Sequence, residues 1–129
     1  MTTSEFATEA YLRWGKTESY KESQRRLGSY TAQDIERAQL EMKDATEQVK
    51  RAFVSGLPPE SEEAMAGAEA HRQSISRWWY ECSYEMHQNL GDMYLADPRF
   101  SAQYEERASG LTQYMRDAIW ANAQNKERN

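Results

Sequence analysis

Ile35, Ala38, Met42, Ala45, Val49 and Ala52 recur at alternating spacings of three and four, and the run stops at Ser55 to Pro59, SGLPP. A repeat of that period commits the segment to an amphipathic helix with one apolar face. A glycine followed closely by two prolines then ends it. The same alternation of helical stripe and sharp stop runs through the rest of the chain. No segment alternates Val, Ile and Thr as strands do. Ala, Glu, Gln, Met, Arg and Lys dominate instead, residues that lose little rotamer freedom in a helix. The predicted class is all-α.

The stops place the elements. Thr31 is the expected N-cap of the 35–52 helix, with Asp34 in its first turn where a negative charge suits the helix dipole. Upstream, FATEAYLRWG and TESYKESQRRLG read as two shorter helices separated at Gly15, the second capped by Thr17. Ser61 is expected to cap a helix on which Met65, Ala68, Arg72, Ile75, Trp79 and Cys82 share a face, with Ala64, His71 and Trp78 on the neighbouring stripe. An apolar arc so wide predicts a helix covered on two sides. Ser83 to Leu95 carries Met86, Leu90, Met93 and Tyr94. Asp97-Pro98 reads as an N-cap with proline at the first helical position. After Gly110, Leu111, Tyr114, Met115, Ala118, Ile119 and Asn122 fall in register on a last helix. The division expected from this pattern is an N-terminal helical segment, 1–57, with a thin apolar stripe, and a better-formed helical core, 58–129.

The 129 residues are enough for one domain with a real core. A net charge of −5 with scattered basic residues argues against a nucleic-acid groove, which needs concentrated Lys and Arg. One cysteine excludes an internal disulfide framework and suggests a reducing compartment. No apolar run approaches the roughly 20 residues of a membrane span, so a cytoplasmic location is expected.

The stretch from His71 to Phe100 is where a function is legible. It sets the single Cys82 among Trp78, Trp79, Tyr80, Tyr84, Met86, His87, Met93 and Tyr94 in an otherwise polar chain. Such side chains supply broad, adaptable apolar surface for large flat or irregular ligands, and they equally serve as plain core. A Cys–His nucleophile pair does not follow from the spacing. On one unbroken helix His71 stands about 16 Å from Cys82, and His87 points away unless the helix breaks near Ser83. Glu81 and Glu85 flank the thiol and would raise its pKa. An enzyme is not expected. Two His and one Cys offer no close metal-ligand pair, and neither haem nor any other cofactor is expected. A thiol needs no neighbouring base, however, to capture an electrophilic alkene held against it, because proximity supplies most of the rate.

Nearly the whole chain, from about Tyr11, resembles the TipAS-type antibiotic-recognition domain, the effector domain of TipA-like regulators of the MerR family. The residues that carry the resemblance are RWGKTESYKES, SYTAQD, EAHRQSISRWWYECSYEMHQNLGDMYLADPRF and GLTQYMRDAIWANA, in that order. The resemblance implies a globin-like helical fold whose cleft binds thiopeptides or other bulky heteroaromatic antibiotics. It also implies N-terminal helices that are poorly ordered without ligand and close over it. By the same token Cys82 corresponds to a cysteine that adds to a dehydroalanine of the bound thiopeptide. Candidate contacts are His71, Trp78, Trp79, Tyr80, Tyr84, Met86, His87, Tyr94 and Tyr114, with Trp14 and Tyr20 acting from the N-terminal segment. The chain as given begins without the winged helix-turn-helix and coiled coil of a full-length regulator. Sequestering or sensing a drug is therefore the activity expected of it alone, and dimerisation only with such a coiled coil. A different class of function, a protein-interaction module, would use the Ile35–Ala52 stripe as its partner face.

Overall fold

The computed structural model describes residues 18–128, and among them there are six α-helices and no strand. They are α1 (Glu18–Ser29), α2 (Ala32–Val54), α3 (Glu62–Trp78), α4 (Tyr84–Ala96), α5 (Pro98–Arg107) and α6 (Leu111–Arg128). The expected helix over FATEAYLRWG, the Gly15 break and the Thr17 cap lie outside the described residues.

The caps fall where the sequence put them. Thr31 and Asp34 form a reciprocal capping box at the start of α2, each side chain accepting from the other's backbone N–H. Ser61 caps α3, and Asp97 caps α5 with Pro98 in its first turn. Gly56, at φ +81°, ends α2. Its N–H donates to Phe53 O while Leu57 N–H donates to Ala52 O, the two reverse bonds of a Schellman turn.

Helix α3 is central, as its wide apolar arc predicts, and packs against both α2 and α6. The stripe of α2 is not a free face. Ala38, Ala45, Val49 and Ala52 are buried, chiefly on α3, which overturns its expected use as a surface for another protein. Small residues let the two backbones approach closely. A Cβ added to Gly67 would meet Val49 Cγ2 at 2.7 Å. Helix α6 buries Leu111, Tyr114, Met115, Ala118, Ile119 and Asn122, the register expected of it, and packs on α4.

Helix α1 is attached differently. Only Ser23 is buried on it, and it makes no extended seam with another described helix.

One element departs from expectation. The helix that should carry Cys82 ends at Trp78, and residues 79–83 form a short strap to α4. In the strap Tyr80 and Cys82 are buried while Glu81 and Ser83 are exposed, a period of two rather than 3.6. Ser83 then caps α4, its hydroxyl accepting from Met86 N–H at 3.1 Å.

Candidate functional site: the Cys82 strap and its surroundings

The break at residues 79–83 turns α4 back along α3 and brings the two histidines together. His71 Nδ1 and His87 Nε2 lie 2.9 Å apart, fully buried, with the rings stacked at 5.1 Å. With the helix broken at 79–83, the condition under which His87 would point away from Cys82 does not hold, and His87 faces His71. Burial holds both rings neutral. It lowers His71 to about 4 and, with the neighbouring His71 and Arg72 adding to it, His87 to about 2. Among the described residues His87 Nδ1 has no hydrogen-bond partner. The pair is a feature of the core, with Tyr94 edge-on to His71 at 6.0 Å.

Cys82 is held by its backbone. Its N–H donates to Ser76 Oγ at 2.9 Å, and its carbonyl accepts from Arg72 Nη1 at 2.8 Å. The sulfur is buried and directs its weak donor to Ser83 O at 3.7 Å. Burial pushes the thiol up to about 12, only partly offset by the Arg72 charge. Among charged neighbours Glu69 adds to the rise, rather than the flanking Glu81 and Glu85 to which the sequence pointed.

Glu69 and Arg72 were not singled out as site residues, yet they organise this region. Arg72 donates through Nε and Nη2 to both Glu69 oxygens, at 3.2 and 2.7 Å. Gln73, Asn122 and Tyr84 donate to the same carboxylate. Burial alone would raise Glu69, but the hydrogen bonds from Arg72, Asn122 and Gln73 outweigh it and bring it down to about 2. Arg72 also stacks over the Tyr84 ring at 4.2 Å. An i, i+3 Glu–Arg pair on a helix ordinarily reads as solvated surface, so its role in joining α3, the strap, α4 and α6 was not visible in the pattern.

The remaining candidates fall into two groups. Trp79, Tyr80, Tyr94 and Tyr114 are buried, and the Tyr114 hydroxyl donates to Leu57 O at 2.9 Å. Tyr20, Trp78, Tyr84 and Met86 keep partly exposed surface. The Trp78 indole N–H donates to Glu41 Oε2 at 2.8 Å, and Arg77 pairs with the other Glu41 oxygen. Trp14 lies outside the described residues. Between α2 and α3 runs a polar groove of about 530 Å³, lined by Glu41, Asp44, Gln48, Arg51, Gln73 and Arg77 among others, and none of the expected contact residues lines it. No group of three or more His, Cys, Asp and Glu side chains suited to a metal occurs among the described residues. No helix among them is long and apolar enough to cross a membrane.

A helical core with a cysteine-bearing strap set among aromatic side chains defines the class, a globin-like helical recognition domain. The chain belongs to the TipAS antibiotic-recognition domain family, whose model matches residues 6–122. It is 44% identical over 119 residues to the HTH-type transcriptional activator TipA of Streptomyces coelicolor, covering 92% of this chain and 47% of that protein. It is 27% identical over 114 residues to the activator mta of Bacillus subtilis, covering 88% of this chain and 43% of the relative. The chain thus spans less than half the length of these relatives. Among solved structures, TipAS of Streptomyces lividans in complex with nosiheptide, described as part of a thiopeptide antibiotic multidrug resistance system, superposes with a TM-score of 0.87. That match has 41% identity and covers 98% of this chain and 88% of that one. The antibiotic-binding domain of a TipA-class multidrug resistance transcriptional regulator matches with a TM-score of 0.64 and 46% identity, over 70% of this chain and 96% of the other.

Proposed function

We propose that this chain binds and sequesters, or senses, thiopeptide or comparably bulky heteroaromatic antibiotics, without catalysis, as the drug-binding part of a MerR-type regulator. The observation that carries the reading is its likeness, over almost its whole length, to a domain solved with nosiheptide bound. Trp78, Tyr84, Met86 and Tyr20, which keep exposed surface, are assigned as contacts. Helix α1 is assigned to the segment that closes over the drug, whereas α2 stays packed on α3 as part of the core. Covalent capture at Cys82 adds its S–H across the alkene of a dehydroalanine. A carbon–sulfur bond forms at the methylene carbon, the π bond breaks, the proton ends on the α carbon and nothing leaves. Cys82 is fully buried, and burial also disfavours its thiolate, so capture requires an arrangement in which the 79–83 strap has opened.

A native mass spectrum with thiostrepton, followed by denaturation of the same sample, tests the reading. A one-to-one complex is expected, with added mass surviving denaturation in the wild type and lost in Cys82→Ala. Absence of any complex with thiostrepton or nosiheptide would overturn thiopeptide recognition.

A further inference from the structure

The main chain of Cys82 is held by a cation that is itself fixed in place. Arg72 Nη1 donates to Cys82 O at 2.8 Å. Glu69, one turn back on α3, accepts from the other two guanidinium nitrogens at 3.2 and 2.7 Å, and the Tyr84 ring lies 4.2 Å from the guanidinium carbon. The Arg72 and Glu69 side chains are only 18% and 19% exposed, so water and salt screen their charges less than those of a surface pair. The sulfur, by contrast, makes one weak bond, to Ser83 O at 3.7 Å. Because Arg72 is anchored within α3, its charge keeps its place when the strap moves and the sulfur turns outward.

Two charges of opposite sign therefore act on the thiol. Arg72 favours its ionised form and Glu69 opposes it, with Arg72 the stronger. The other titratable groups around the sulfur are Tyr80 of the strap and Tyr94 of α4, both buried and kept neutral because burial pushes their hydroxyls up. Tyr84, at the start of α4, is pushed up by burial as well. Glu81 and Glu85 are exposed, and α6 contributes Asn122, which carries no charge. We propose that Arg72, fixed by Glu69 beside the Cys82 main chain, stabilises the thiolate once the strap opens, and that Glu69 sets how much of that charge the sulfur feels. Both are positioning residues for the thiol. Addition to a dehydroalanine then begins with loss of the thiol proton to water. The thiolate bonds the methylene carbon, the π electrons pass to the α carbon, and water returns a proton there. That use rests on the function proposed above, whereas the arrangement of charges involves no drug.

The test is the pH profile of alkylation of the full chain by iodoacetamide, read by intact mass, since one cysteine allows one addition. The thiolate displaces iodide, so the midpoint of the profile reports the thiol in the opened arrangement and the plateau reports how often it opens. Arg72→Gln is expected to raise the midpoint by about half a pH unit, and Glu69→Gln to lower it by about as much. Both substitutions break the same ion pair, so a purely structural role would change the plateau while moving neither midpoint, or move both alike. Arg72→Lys keeps the charge and should return the midpoint toward that of the wild type. Arg107→Gln, which breaks the pair with Glu47, leaves it unchanged. Should Arg72→Gln not fold, Glu69→Gln, which keeps an acceptor for Arg72, carries the test together with Arg72→Lys. Midpoints that move in the same direction, or not at all, overturn the proposal. Opposite shifts without a thiopeptide complex support it and remove only the drug role. A thiopeptide complex with unmoved midpoints does the reverse.

Discussion

Helices α1 and α2 belong to the same N-terminal part of the chain but are joined to α3 by different physics. The α2–α3 seam is apolar and close, with Ala38, Ala45, Val49 and Ala52 against a face on which Gly67 admits the opposing Val49. Stability there comes from area removed from water and from shape fit, both of which are lost together if the helices separate. Helix α1 is fastened by a few polar bonds from Arg26 and Tyr30 to one helix end, with little buried of its own. Such bonds contribute about 1 kcal/mol each net of the water they replace, and each can break singly. The lesson is that the boundary between firmly and loosely held structure falls near residue 30. The change in composition at Ser55 to Pro59 marks a turn, but the helix before it is part of the core.

Acid gives the largest effect with which to sharpen this contrast, because it attacks the core and spares the clasp. His71 and His87 are held neutral when folded, at about 4 and about 2, and return to about 6.5 when unfolded. Their contribution is complete above pH 6.5 and declines as pH falls below it, because the unfolded chain then binds protons that the folded one excludes. The slope is roughly 1.4 kcal/mol per pH unit for each ring. A loss of a few kcal/mol is expected between pH 6.5 and 4.5, before Glu69, held well below the usual carboxylate range, starts to yield its own contribution. Urea midpoints across that range measure it, and His87→Gln should flatten the dependence. A midpoint independent of pH would mean that the rings are not buried neutral.

Next in size is the seam. Gly67→Ala places a methyl group 2.7 Å from Val49 Cγ2 and 3.0 Å from Val49 N. A cost of about 1–3 kcal/mol in global stability is expected. If α2 were as loosely held as α1, it would shift to make room and the midpoint would not move.

The smallest effect is confined to α1. Tyr30→Phe should cost about 1 kcal/mol locally and speed hydrogen exchange of the amides in 18–29 about fivefold. Amides of 32–54 should keep their protection. Loss of protection in both helices together would erase the distinction between them.

Much of the fold was legible because helix ends are written locally. Thr31 with Asp34, Ser61, and Asp97 with Pro98 each complete their caps within three residues, so no distant contact is needed to read them. The stripes of α2 and α6 were legible because a helix packed on one face must repeat near 3.6 residues. The site was less so. The strap that carries Tyr80 and Cys82 stayed hidden because an extended run of five residues between two helices is too short to show its own period against the stripes beside it. Once α3 was drawn through Cys82, His87 pointed the wrong way, and the histidine pair was lost with it.

Residue types alone determined that this chain is helical, where most of its helices begin and end, and which faces are apolar. Those properties depend on neighbours within about four residues, the reach of one helical turn. Tertiary structure alone decided that α3 stops at Trp78, that His71 meets His87, that Glu69 and Arg72 tie the strap to α6, and that Ser76 stands between Arg26 and Cys82. Each of these joins residues from elements with no fixed spacing between them. Their partners are set by how the helices pack, and the desolvation that perturbs the thiol and the imidazoles exists only once that packing has excluded water.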